Sequence, residues 1–83
     1  MTAVVTLYGR PQCHLCDEAR AELESMREAG ASFELDEIDI EHDQQLLARY
    51  LERIPVIAVD GQVVCDLGLD VEGVMARLAT VSP

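Results

Sequence analysis

Val4-Val5-Thr6-Leu7-Tyr8-Gly9-Arg10-Pro11-Gln12-Cys13-His14-Leu15-Cys16, continued by Asp17-Glu18-Ala19-Arg20-Ala21-Glu22-Leu23-Glu24-Ser25-Met26-Arg27, decides how this chain folds. Residues 4–8 are β-branched, aliphatic or aromatic with no breaker among them, which is the composition of a strand. Gly9 and Pro11 punctuate the loop that follows. Residues 17–27 are almost all good helix formers. Cys13 therefore falls at the N-terminus of a helix and Cys16 one turn inside it. Helical residues at i and i+3 are neighbours, roughly 5–6 Å apart at Cβ, so small adjustments bring two sulfurs to bonding distance. The helix start also offers free N–H donors and the positive end of the helix dipole, and both favour thiolate over thiol. That combination points to reversible dithiol/disulfide chemistry.

A Cys-x-x-Cys pair can also be half of a zinc site. Structural zinc takes four nitrogen or sulfur ligands, usually from a second paired motif. Outside the pair the chain offers Cys65, His14 and His42, with no paired spacing among them.

Outward from this stretch, the first helix extends over about residues 13–29 with Cys16, Ala19, Leu23 and Met26 on one stripe, and Gly30 is placed to cap it. Phe33 to Ile40 reads as a second strand, although its apolar positions change phase between Leu35 and Ile38. Asp43 to Leu51 is a short helix with Asp43 as N-cap. Ile54 to Val59 is a strand opening at a proline. Asp60-Gly61 is a strong two-residue hairpin signal, returning through Gln62 to Cys65. A last helix covers about Asp70 to Ala79, with Val71, Val74, Met75 and Leu78 expected on its inner face. His42 is expected on a surface loop. The order β-α-β-α-β-β-α predicts an α/β fold: a parallel pair joined by a crossover, an antiparallel hairpin, and one four-stranded mixed sheet flanked by three helices.

The 83 residues, without repeats, low-complexity tracts or linkers, are expected to form a single domain over 1–83. At 49% apolar residues the chain has ample material for a core. Three cysteines are not a secreted disulfide framework, no stretch resembles a signal peptide, and none reaches the ~20 apolar residues that span a bilayer. A cytoplasmic protein is expected, where such a pair is more often catalytic than structural. Sixteen acidic residues face six arginines and no lysine, for a net charge of −10, which argues against nucleic acid or anionic membrane as partner. An acidic surface suits a basic partner protein, and equally serves solubility alone.

Taken together, the element order, the run from Leu7 to Cys16, Ile54-Pro55 and Asp60-Gly61 resemble the glutaredoxin branch of the thioredoxin superfamily over nearly the whole length. Glutaredoxins typically read Tyr-x-Lys-x-x-Cys-Pro-Tyr-Cys, so Tyr8 and Cys13 keep the spacing and Arg10 takes the lysine position. The resemblance implies a thioredoxin-like fold, Cys13 as catalytic nucleophile and Cys16 as resolving thiol. Chemistry agrees, because Cys13 lies at the exposed helix end and only a thiolate attacks. It also implies that Pro55 is cis and faces the cysteines, with Tyr8, Arg10, His14, Arg53, Ile54 and Pro55 meeting the substrate. Arg10, and His14 when protonated, would favour the thiolate, and Tyr8 would pack at the edge of the core.

Departures from the pattern shape the rest. Arg53-Ile54-Pro55 replaces Thr-Val-Pro. The Gly-Gly and Asp that receive the γ-glutamyl end of glutathione in glutaredoxins fall, counting from the proline, at Cys65, Asp66 and Gly68. Side chains then stand where backbone should approach the ligand. The pattern is closer to small glutaredoxin-like proteins with Cys-x-Leu-Cys-Asp. No resident cofactor is expected, glutathione is expected to bind poorly, and Cys65 is expected to be a small apolar residue at a strand end. Expected partners are a disulfide-containing protein or small thiol, with the chain itself a monomer. Two other readings stay open on sequence: a metal or iron–sulfur protein using Cys13 with Cys16 or Cys65, and a redox-inactive interaction domain on the same fold.

Overall fold

The computed structural model describes residues 2–81. Strand β1 (Ala3–Gly9) leads into helix α1 (His14–Glu28), then strand β2 (Phe33–Asp39). A 3₁₀ turn (Ile40–His42) precedes helix α2 (Gln44–Tyr50), followed by strands β3 (Val56–Val59) and β4 (Gln62–Asp66) and helix α3 (Val71–Val81). The sheet order is β2-β1-β3-β4, with β1 parallel to β2 and antiparallel to β3, and β4 antiparallel to β3. This is the expected mixed four-stranded α/β architecture.

Alternation along the strands distributes their side chains to two cores. Ala3, Val5 and Leu7 of β1 and Ile57 and Val59 of β3 pack with Ala19, Leu23 and Met26 of α1 and with Val74 and Leu78 of α3. On the opposite face Tyr8, Ile54 and Val56 meet Ile40 and the α2 residues Leu46, Leu47 and Tyr50. Fully burying a side chain such as Leu23 or Ile57, each 0% exposed, stabilises by about 1.5–3 kcal/mol.

The phase change in β2 follows from these two cores. Phe33 and Leu35 join the α1–α3 core, whereas Ile40, an odd number of residues further on, is buried in the α2 core. The strand is shorter than expected, because Ile40 already begins the 3₁₀ turn, capped by Asp39 accepting from the Glu41 N–H at 2.9 Å. Strand β3 begins at Val56, two residues later than expected, after the proline. The inner face of α3 also needs correction: Val74 and Leu78 are buried, but Met75 is 45% exposed. One residue past Val74 a helical side chain has turned about 100° away.

Local signals hold at the ends of elements. Asp43 caps α2, its carboxylate accepting from Gln45 and Leu46 N–H groups. Gly30 follows Ala29, the C-cap of α1, with φ +110° while the Ala31 N–H reaches back to the Met26 carbonyl at 3.0 Å, the bond that closes a glycine-terminated helix. Asp60 and Gly61 both have positive φ, as a type I′ hairpin requires. Asp60 is additionally tied to β1, donating its N–H to the Val4 carbonyl and accepting the Val4 N–H on its carboxylate.

Candidate active site

The end of β1, the start of β3 and the end of β4 lie side by side at one edge of the fold: Tyr8 is level with Val56, and Val56 with Asp66. The Gly9–Gln12 connection brings the chain from β1 to α1 at that edge. Gln12 takes φ +62°, an uncommon conformation for a side-chain-bearing residue, and turns the backbone so that Cys13 becomes the N-cap. The Cys13 Sγ accepts the Cys16 N–H at 3.1 Å, occupying the place usually held by a serine or aspartate oxygen. A sulfur receiving that bond at the positive end of α1 is favoured as thiolate. The cysteine Cα atoms are 5.2 Å apart and the pair is joined as a disulfide, within the separation a disulfide tolerates. Cys13 is half-buried, and Cys16 is 1% exposed.

Gly9 makes this packing possible. A Cβ at Gly9 would lie 2.9 Å from the Cys16 Sγ and 3.2 Å from its Cβ, so the strand backbone rests directly on the buried cysteine. Beside it a cavity of about 310 Å³ is bordered by Leu7, Gly9, Cys16 and Arg20. Arg20 donates to Asp17 at 2.9 Å and to Glu37. These hydrogen bonds, Glu37 first and then Asp17, raise its pKa beyond the ordinary arginine value. The carboxylate that follows Cys16 in sequence is thereby compensated, and α1 is fastened to β2.

The residues expected to meet substrate are distributed more widely. Tyr8 stacks at 5.1 Å on Tyr50 and belongs to the α2 core. The Arg10 guanidinium is engaged by Glu41 at 2.5 Å rather than by the sulfurs. His14 is largely exposed and leans along α1 to Glu18, 3.6 Å away. Arg53 pairs with Asp66 at 2.7 Å, lies over the Tyr50 ring, and accepts the Leu67 N–H on its carbonyl at 2.9 Å. Ile54 packs in the α2 core, Pro55 is buried, and the Ile54–Pro55 bond is cis. Cys65 is a free, half-buried thiol packed against the α1–α3 core. Burial pushes its pKa up, reinforced by the Asp70 and Asp66 carboxylates and opposed by the Asp70 N–H, 3.4 Å from the sulfur.

Gly9, Gln12 and Arg20 escaped sequence reasoning as site residues. A glycine closing a strand signals close backbone approach. The other two carry no such signal.

A four-stranded mixed sheet with Cys-x-x-Cys at the N-terminus of its first helix and a cis-proline opening the third strand defines the thioredoxin-like class. Within it, this chain belongs to the glutaredoxin-like domain family: the family model "Glutaredoxin-like domain (DUF836)" matches residues 4–79. The solution structure of protein Ne2328 from Nitrosomonas europaea is similar at 31% identity and a TM-score of 0.82, over 94% of this chain and 93% of that one. A structural-genomics protein from X. campestris is similar at 29% identity and a TM-score of 0.63, over 93% and 97%. A thioredoxin variant from Halobacterium salinarum, at 19% identity and a TM-score of 0.67 over 98% and 75% of the two chains, shares the fold. No curated protein matches the chain in sequence. Among the described residues no helix is long and apolar enough to cross a membrane.

Proposed function

We propose that this chain is a thiol–disulfide oxidoreductase. The observation that carries the reading is the asymmetry of the pair: Cys13 is accessible and hydrogen-bonded as a helix cap, whereas Cys16 is buried beneath Gly9. In the dithiol form the Cys13 thiolate attacks one sulfur of a substrate disulfide. A mixed disulfide forms, and the other substrate sulfur leaves as thiolate and takes a proton from solvent. Cys16, losing its proton, then attacks the Cys13 sulfur, and the second substrate thiolate leaves. Two electrons pass from the pair to the substrate, and a dithiol reductant restores the pair. A cytoplasmic, reducing setting suits this direction of flow.

Turnover of a protein disulfide with dithiothreitol as reductant tests the reading. Catalysis above background is expected, with Cys13 and Cys16 titrating together as one two-electron couple in redox buffers. Ordinary thiols that alkylate readily but turn nothing over would favour the redox-inactive reading instead.

Glutathione is expected to be a poor partner. Cys65 and Asp66 supply side chains at the end of β4, and Asp66 already occupies the Arg53 guanidinium that an incoming carboxylate would need. A net-anionic tripeptide also approaches a chain of charge −10. A calorimetric titration should show no saturable binding up to low-millimolar glutathione; saturation in the micromolar to low-millimolar range would refute this.

A further inference from the structure

Two apolar side chains stand in solvent at the edge that carries the cysteine pair. Leu15, between the cysteines, is 48% exposed, and Leu67, just after β4, is 61% exposed. Leu67 also takes φ +59°, a conformation disfavoured for a branched side chain. Exposure and strain together serve no core, and the turn is held from outside itself, by the Leu67 N–H to Arg53 carbonyl bond and the Asp66–Arg53 pair. Backbone strain held by its surroundings is a feature of functional surfaces.

A groove of about 330 Å³ runs between α1 and this turn, with Leu15 and Ala19 on one wall, Gly68 and Leu69 on the other, and Glu18 and Glu22 lining it. Its charge is uncompensated. Among the described residues Glu22 makes no ion pair, and Glu18 has only the exposed His14 nearby. The arginines are engaged elsewhere: Arg10 by Glu41, Arg20 by Asp17 and Glu37, Arg27 by Glu24, and Arg53 by Asp66. Arg49 lies over Tyr50, and Arg77 donates to Gln62.

Resting on the redox reading above, we infer that this groove receives the segment flanking the reactive disulfide of a protein substrate, and that this segment carries an arginine or lysine and an apolar side chain close to its cysteine. The apolar side chain covers Leu15 on the groove wall and Leu67, which adjoins the lining residue Gly68 in the chain, and the cation meets Glu18 and Glu22. An acidic segment is repelled by the same field.

The test uses the reduced full chain and three disulfides, each releasing the same coloured aromatic thiol. One carries a peptide with arginine and leucine beside its cysteine, one a peptide with glutamate and leucine, and one mercaptoethanol as uncharged reference. At low salt the basic peptide should react about tenfold faster than the acidic one, and high salt should collapse the difference. Glu18→Gln with Glu22→Gln should bring the two rates together. Leu67→Asn places a residue that tolerates positive φ in the turn, so its unfolding midpoint should hold or rise. Its rate with the leucine-bearing basic peptide, relative to the reference, should nevertheless fall several-fold. Equal rates for the two peptides at low salt, or an undiminished relative rate in Leu67→Asn, would overturn the inference. A reference disulfide that releases no thiol would overturn the redox reading itself, and this inference with it.

Discussion

Cys13→Ser should eliminate disulfide exchange altogether, whereas Cys16→Ser should leave the protein covalently joined to its substrate through Cys13. The difference comes from placement. Cys13 can be reached from solvent and its sulfur accepts the Cys16 N–H; a serine hydroxyl can take that bond as an N-cap, so the fold survives while the nucleophile is gone. Cys16 lies under the end of β1 at 1% exposure, out of reach of a bulky disulfide but one helical turn from Cys13. Without it the mixed disulfide loses the neighbouring thiol of the pair that would release it. Non-reducing electrophoresis and intact mass after mixing with a protein disulfide read both outcomes. A trapped adduct on Cys13→Ser and none on Cys16→Ser would reverse the roles.

Gly9→Ala is expected to cost about 1–3 kcal/mol, the usual penalty for overfilling a packed core, and Gly9→Val more. The new methyl meets the Cys16 side chain at 2.9 Å, and neither side yields easily, because Gly9 is paired with Asp39 in the sheet and Cys16 is anchored in α1. Relief requires α1 to shift at its start, which disturbs the N-cap bond to Cys13. Stability and redox behaviour should therefore fail together: a lower urea midpoint and slower closure of the disulfide in the same variant. A Gly9→Ala protein as stable as the parent, with an unchanged pair, would show that the contact is slack.

The parts legible in sequence are those in which one periodicity governs a whole element. Cys16, Ala19, Leu23 and Met26 form one stripe of α1 and are buried together. Asp43, Gly30 and Asp60-Gly61 act through their own backbone, so their roles as cap, terminator and turn could be read locally. β2 and the Ile40 that follows it serve two cores within eight residues, and no single period describes them. Met75, an apolar residue beside Val74, reads as core until the helix is set against the sheet, where it is exposed. The partners of Arg10 and Arg53 lie far along the chain at Glu41 and Asp66, and nothing local in the sequence announces them. The buried base of the site was hidden for the same reason, since Gly9 matters only through what rests on it.

The edge position of β2 has a consequence beyond the fold. A strand at the margin of a sheet offers unpaired backbone groups to any second copy of the chain, and is a template for aggregation. One margin is Phe33–Asp39, whose exposed Glu34 and Asp36 make no ion pair among the described residues. A copy adding itself there would set carboxylates against carboxylates along the new seam, at a cost that grows with each residue paired. The acidity that the composition shows only as a net number thus acts at a particular place, as a guard on one of the two open margins of the sheet against pairing with a second copy.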